Sequence, residues 1–306
     1  MKFKPQPWQL IVVIAVLCCA AVGTMVWYHS GTLTQAALLK RLPTNDALVL
    51  WIDFAELRKA GFLQLLSGAK ASEDPEYQSF VHATRFDYMN DLDSALAAFP
   101  RSGSSYFLAQ GRFDWKSLRA YVAREKGQCV NSLCRLVGST PDRHISFLPL
   151  RQDLMAMAVS QEAYAVDELG KTPPTPYPAV PEGMVWLRFP GSLPKSVESM
   201  PAGMSAFARI VQDAPMVTIS FVPEQNHLAA RLDVQCRTGQ EAEDMASALN
   251  QVTSLARTMF EREHQIPNPA DFSGIVTSGE FRREGTRVLG HWPIERAFVQ
   301  NLLGTQ

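Results

Sequence analysis

Apolar residues run without a charge from Trp8 to Tyr28 and then break into short alternating runs and helical stripes for the rest of the chain. The unbroken run predicts a transmembrane helix: its 21 residues, at about 1.5 Å each, span roughly 30 Å, the thickness of a bilayer's hydrocarbon core. Trp8 and Trp27-Tyr28 flank it where indole and phenol rings favour the membrane interfaces. A cleaved signal peptide is the competing reading, with Lys2 and Lys4 as basic flank and Ala21-Val22-Gly23 as cleavage site. The apolar character nevertheless continues through Met25, Val26 and Trp27. Cys18 and Cys19 read as small apolar fillers of this helix.

After His29 the period changes. Leu48 to Phe54 and Met184 to Phe189 read as short apolar strands, with Trp51 matching Trp186 and Phe54 matching Phe189. Each is followed by a hairpin, Ser94–Phe99 with Tyr106–Gln110 in the first half and Val217–Phe221 with Leu228–Leu232 in the second. A helix comes next: Asp114 caps Trp115–Lys126, with Gly127 after its last turn. Its counterpart opens on Thr238-Gly-Gln-Glu241, a capping box, and carries Ala242, Met245, Leu249, Val252, Ala256 and Met259 on one stripe. That stripe suits a helix lying on a sheet better than a coiled coil, because it lasts under four heptads.

Each half then closes with a second hairpin and a helix: 144–149, 154–160 and Glu162–Leu169, then 279–283, 286–291 and Ile294–Leu303. The repeated order suggests an internal duplication. The offset between matched points drifts, from 135 at the tryptophans to 122 at Phe99 and Phe221, so two unrelated lobes of similar rhythm stay open as the alternative. An extra helix in the first half, Asp74 to Thr84 with Pro75 at its first position, accounts for part of the drift. The expected class is α+β: one amino-terminal transmembrane helix, then two similar lobes of antiparallel hairpins packed with helices. Five prolines among residues 171–181 mark a stiff linker. The domains read as 1–7, a short cytoplasmic tail; 8–28, the membrane helix; 29–170, the first lobe; 171–182, the linker; and 183–306, the second lobe.

Charge adds orientation. Lys2 and Lys4 precede the helix, whereas Lys40 and Arg41 follow it by a dozen residues, which favours a cytoplasmic amino terminus and an extracytoplasmic remainder. Cys129 and Cys134 agree with an oxidising compartment: the spacer Val-Asn-Ser-Leu can turn the chain and bring the sulfurs within bridging range. A zinc site there lacks further ligands nearby, and Cys236 reads as a buried free thiol. Twenty-nine basic against thirty acidic residues argue against a nucleic-acid partner.

Motifs that carry chemistry are few. No Gly-x-Ser-x-Gly, phosphate loop or His-Glu-x-x-His occurs, and Ser67-Gly-Ala-Lys70 and Ser192-Leu-Pro-Lys195 lack the companions of a Ser-x-x-Lys enzyme. Asp87, Asp91 and Asp93 are candidate calcium ligands, but an EF-hand's central Gly and closing Glu are missing, and a solvated turn is the competing reading. The loop from Ser139 to His144 mixes hydroxyl, carboxylate, guanidinium and imidazole, which makes Asp142, Arg143 and His144 the catalytic candidates; Thr-Pro-Asp is also an ordinary turn. No cofactor is implied.

The runs Gly111–Trp115, Cys129–Cys134 and Pro141–Phe147 resemble segments of uncharacterised bacterial single-pass, membrane-anchored extracytoplasmic α+β proteins. The resemblance implies an inner-membrane protein with its bulk in the periplasm and brings no activity with it. The sequence therefore points to a binding or scaffolding component of the cell envelope whose partners are the membrane and other envelope proteins. An anchored hydrolase using the Ser139–His144 loop is the alternative.

Overall fold

The computed structural model describes residues 34–63, 75–138, 140, 142–169, 179–192, 202–224 and 227–304. Trp8–Tyr28, most of the 171–182 linker, Ser139, Ser67–Lys70 and Lys195 lie outside them. Among the described residues no helix is long and apolar enough to cross a membrane. The chain divides into two units, 1–38 and 39–306. The first is described only from Thr34, where α1 (Gln35–Leu39) begins.

The second unit is built on one antiparallel sheet of twelve strands among the described residues. The first half supplies β1 (Ala47–Asp53), β2 (Leu92–Pro100), β3 (Ser105–Gly111), β4 (Gln128–Val130), β5 (Leu133–Val137), β6 (His144–Arg151) and β7 (Leu154–Ser160). The second supplies β8 (Val185–Phe189), β9 (Met216–Glu224), β10 (His227–Gln235), β11 (Glu280–Glu284) and β12 (Arg287–Ile294). Across the sheet the order is β11-β12-β10-β9-β8-β1-β2-β3-β7-β6-β5-β4. The two expected lobes are thus two halves of one sheet, joined where β1 pairs with β8. Outward from that seam the halves repeat the same path, β1-β2-β3-β7-β6 against β8-β9-β10-β12-β11, with β4 and β5 added only in the first. At the seam Trp51 faces Trp186, Leu50 faces Leu187 and Ile52 faces Val185, the register that an approximate twofold axis between the tryptophans gives.

Because side chains directly opposite in a ladder share a face, the register sorts the sheet into two sides. One side carries Phe281, Leu232, Ile219, Leu187, Leu50, Ala97, Phe107 and Met157. Helices cover it. α5 (Trp115–Arg124) packs Val122 against Cys134 and Phe147. α7 (Gly239–Arg262) buries Ala242, Met245, Ala246 and Leu249 against Val217, Leu232, Val234 and Val288. α2 (Phe54–Lys59), α8 (Phe272–Ser278) and α9 (Arg296–Gly304) close the same side over Leu228, Ala230 and Ile294. Between these elements lie α3 (Pro75–Thr84), α4 (Tyr88–Asp91) and α6 (Ala202–Val211). Removing a fully buried side chain such as Leu249 costs about 3 kcal/mol.

The expected caps form. Asp114 accepts from the amides of Lys116 and Ser117, and Thr238 accepts from Glu241 while the Glu241 carboxylate reaches back to the Arg237 amide. The helix expected over Glu162–Leu169 is only a 3₁₀ turn, Ala165–Glu168. The Val166 amide donates to the buried Ser146 hydroxyl, and Leu169 turns extended, so the winding stops. The other side of the sheet differs between halves. In the first it is apolar and buried, with Leu96, Ala98, Leu108, Ala156 and Ala158 at most 1% exposed. In the second it is polar and concave.

Candidate functional site

The concavity is a trough of about 960 Å³ on the side of β8 to β12 away from α7. Its floor follows from strand alternation. On β10, Ala230, Leu232 and Val234 point to the helices, so Arg231, Asp233 and Gln235 point into the trough. On β12, Val288 and Gly290 leave Arg287, Leu289 and His291, and β8 contributes Arg188 from an otherwise apolar strand. Residues Ala179–Glu182 border it.

Several charges on the floor are paired within it. Glu224 accepts from Arg231 at 2.8 Å and from His291 at 3.1 Å. These two donors hold its carboxyl below the ordinary value near 4.5. Arg287 forks onto both carboxylate oxygens of Asp233, which raises the guanidinium's affinity for its proton. Arg188, only 8% exposed, donates to the Thr218 hydroxyl and to the Ala179 carbonyl, each at 3.1 Å. Arg231 also lies 3.7 Å from Glu182. The lining holds four arginines (188, 231, 282, 287) and four carboxylates (182, 224, 233, 280). That balance suits a polar ligand of mixed or no net charge rather than a polyanion.

The candidates from the sequence lie elsewhere. Asp142 and Arg143 are exposed, the Arg143 guanidinium donates to the Gly103 carbonyl, and His144 opens β6; neither described concavity includes them. Asp87 caps α4, its carboxylate accepting from the Met89 backbone amide, the Tyr77 hydroxyl and the Asn90 side-chain amide. Asp91 accepts from the Asp87 amide and pairs with Arg112, while Asp93 is exposed on β2. These oxygens serve the local turn. Cys129 and Cys134 form a disulfide across the β4–β5 hairpin, where they are direct partners, and Asn131 turns the hairpin with φ of 56°. Cys236 is a buried free thiol whose burial pushes it away from the thiolate. Sequence reasoning missed the trough although its signal was present: Arg231, Asp233 and Gln235 alternate with apolar neighbours, and Arg188 interrupts an apolar strand.

No known family matches the sequence, and no curated protein matches it. Among solved structures the chain is similar to TP0453. Crystal form I of that protein has a TM-score of 0.49 at 12% identity, over 90% of this chain and 99% of that one. Crystal form IV gives 0.46 at 10% identity, over 87% and 94%.

Proposed function

We propose that this chain is a single-pass envelope protein, anchored through Trp8–Tyr28, whose extracytoplasmic sheet binds a polar partner in the trough of its second half. The observation that carries the reading is the trough itself: a concave polar floor with two arginine–carboxylate pairs and a buried Arg188, the shape and chemistry that suit a polar ligand. The Cys129–Cys134 bridge supports the compartment, since such bonds persist in oxidising spaces. An internal duplication is the economical account of the two matching strand paths. No observation favours the hydrolase alternative.

Two measurements test this in cells carrying the full chain. A membrane-impermeant maleimide should label Asp142→Cys in intact spheroplasts; labelling only after lysis would reverse the orientation. A photo-crosslinking residue at Leu289, in the trough, should capture an envelope component that the same residue at the exposed Val130 does not, and Arg231→Glu should abolish the capture. Equal capture at both positions would remove the trough from the proposal. Turnover of a hydrolase substrate panel by the purified chain, lost in Asp142→Ala or His144→Ala, would replace binding by catalysis.

A further inference from the structure

β11 is one outer edge of the sheet, and a second, smaller groove of about 450 Å³ runs between that edge and α7. The side chain of Asn250, on α7, occupies it in a particular way. Its Nδ2 donates to the Phe281 carbonyl at 3.0 Å, and its Oδ1 accepts from the Phe281 amide at 3.3 Å. One side-chain amide thereby makes the two hydrogen bonds that the peptide backbone of a neighbouring antiparallel strand makes. By strand alternation Arg283 turns its own N–H and C=O to the same open side. Small residues of α7, Ala246, Ser247 and Ser254, line the facing wall and leave room for an extended backbone.

We infer that the outer edge of β11 docks an extended peptide of a partner protein bearing a carboxylate, which joins the sheet as a further strand in place of Asn250. Strand addition of this kind takes its affinity from main-chain hydrogen bonds and its selectivity from alternate side chains. The selectivity here lies in Arg282. Its side chain lies on the trough side, beside the edge, with no carboxylate partner among the described residues. A second copy fits poorly. Antiparallel pairing of β11 with itself, Phe281 against Arg283, sets Arg282 against Arg282 and Glu280 against Glu284, and like charges directly opposite destabilise a ladder. A carboxylate opposite Arg282 reverses that sign.

The test uses the full chain in detergent and a fluorescent, end-blocked Thr-Val-Glu-Val-Thr peptide followed by anisotropy. Asn250→Ala, which removes the resident competitor, should tighten binding about tenfold, and the peptide should slow hydrogen exchange at the amides of Phe281 and Arg283. Asn250→Asp, which keeps the shape but loses the donor to the carbonyl, should fall between the two and covers the case in which the alanine variant unfolds. Methylating both valine nitrogens should abolish binding, and Arg282→Glu should shift preference to the peptide with Lys in place of Glu. Binding no tighter in either Asn250 variant, or indifferent to the methylation, overturns the inference. So does self-association of Asn250→Ala in sedimentation, which gives the edge to a second copy.

Discussion

Lys126 and Gly127 end α5 by dividing two tasks that one glycine often performs alone. Lys126 takes the left-handed conformation, φ 59°, and its amide bonds to the Ala123 carbonyl, while the Gly127 amide reaches the Val122 carbonyl at 2.8 Å, together a Schellman ending. Gly127 is needed for space: a Cβ there would lie 2.5 Å from the Arg135 carbonyl and 2.6 Å from the Val122 side chain. Gly127→Ala should therefore cost about 2 kcal/mol or more, whereas Lys126→Gly should gain about 0.5 kcal/mol, both read from denaturant midpoints. Glu224 gives a pH test. Its carboxyl is held low by Arg231 and His291, so the network adds stability above pH 4.5 and loses it as the pH falls through the lower folded value. Glu224→Gln should cost about 1 kcal/mol at neutral pH, and the melting temperatures of the two proteins should converge in acid. A constant difference across that range would detach Glu224 from the network.

Elements with a strong period were legible from the sequence. The capped helices α5 and α7 and the hairpins β2–β3, β6–β7, β9–β10 and β11–β12 all stand close to where apolar alternation and capping residues put them. β4 and β5 were read only as a bridged turn. Gln128–Val130 is three residues long and exposed throughout, so no buried face imprints a pattern on it. Its hold on the sheet is covalent as much as packed: Cys134 is 1% exposed among Val122 and Phe147, while Cys129 lies outside. Closing so short a loop contributes about 2 kcal/mol in the chain-entropy account. Cys129→Ser should therefore fray β4 locally, seen as faster hydrogen exchange there while β9 and β10 keep their protection. Cys134→Ser should cost more, because it also buries a hydroxyl among apolar side chains.

For the whole molecule, the β1–β8 seam decides how the halves share stability. Trp186 is fully buried there opposite Trp51, and neither indole N–H meets an acceptor among the described residues. Trp186→Phe, which loses no hydrogen bond, should be mild. Trp186→Ala should cost about 3–5 kcal/mol and lower the protection of β7 and β10 together in hydrogen exchange; loss confined to β10 would mean that the halves unfold apart. The sequence matched the two tryptophans but could not reveal that they face each other, because pairing between segments 135 residues apart leaves no local pattern. The trough was legible only in part: alternation marks its polar positions, but their gathering on one floor is written in no single segment. Its floor gathers polar positions from five strands that each look, alone, like an ordinary strand with one solvent face.

The central place of β1 also has a mechanical meaning. A pull arriving from the amino-terminal side meets β1 before any other strand, and β1 is laddered to β2 over seven residue pairs and to β8 over four, whereas the outermost β4 is held by three. Tension entering the molecule this way must slide a strand against two neighbours at once rather than peel a single edge. A pull from the side of Trp8–Tyr28 therefore loads the middle of the sheet rather than its rim.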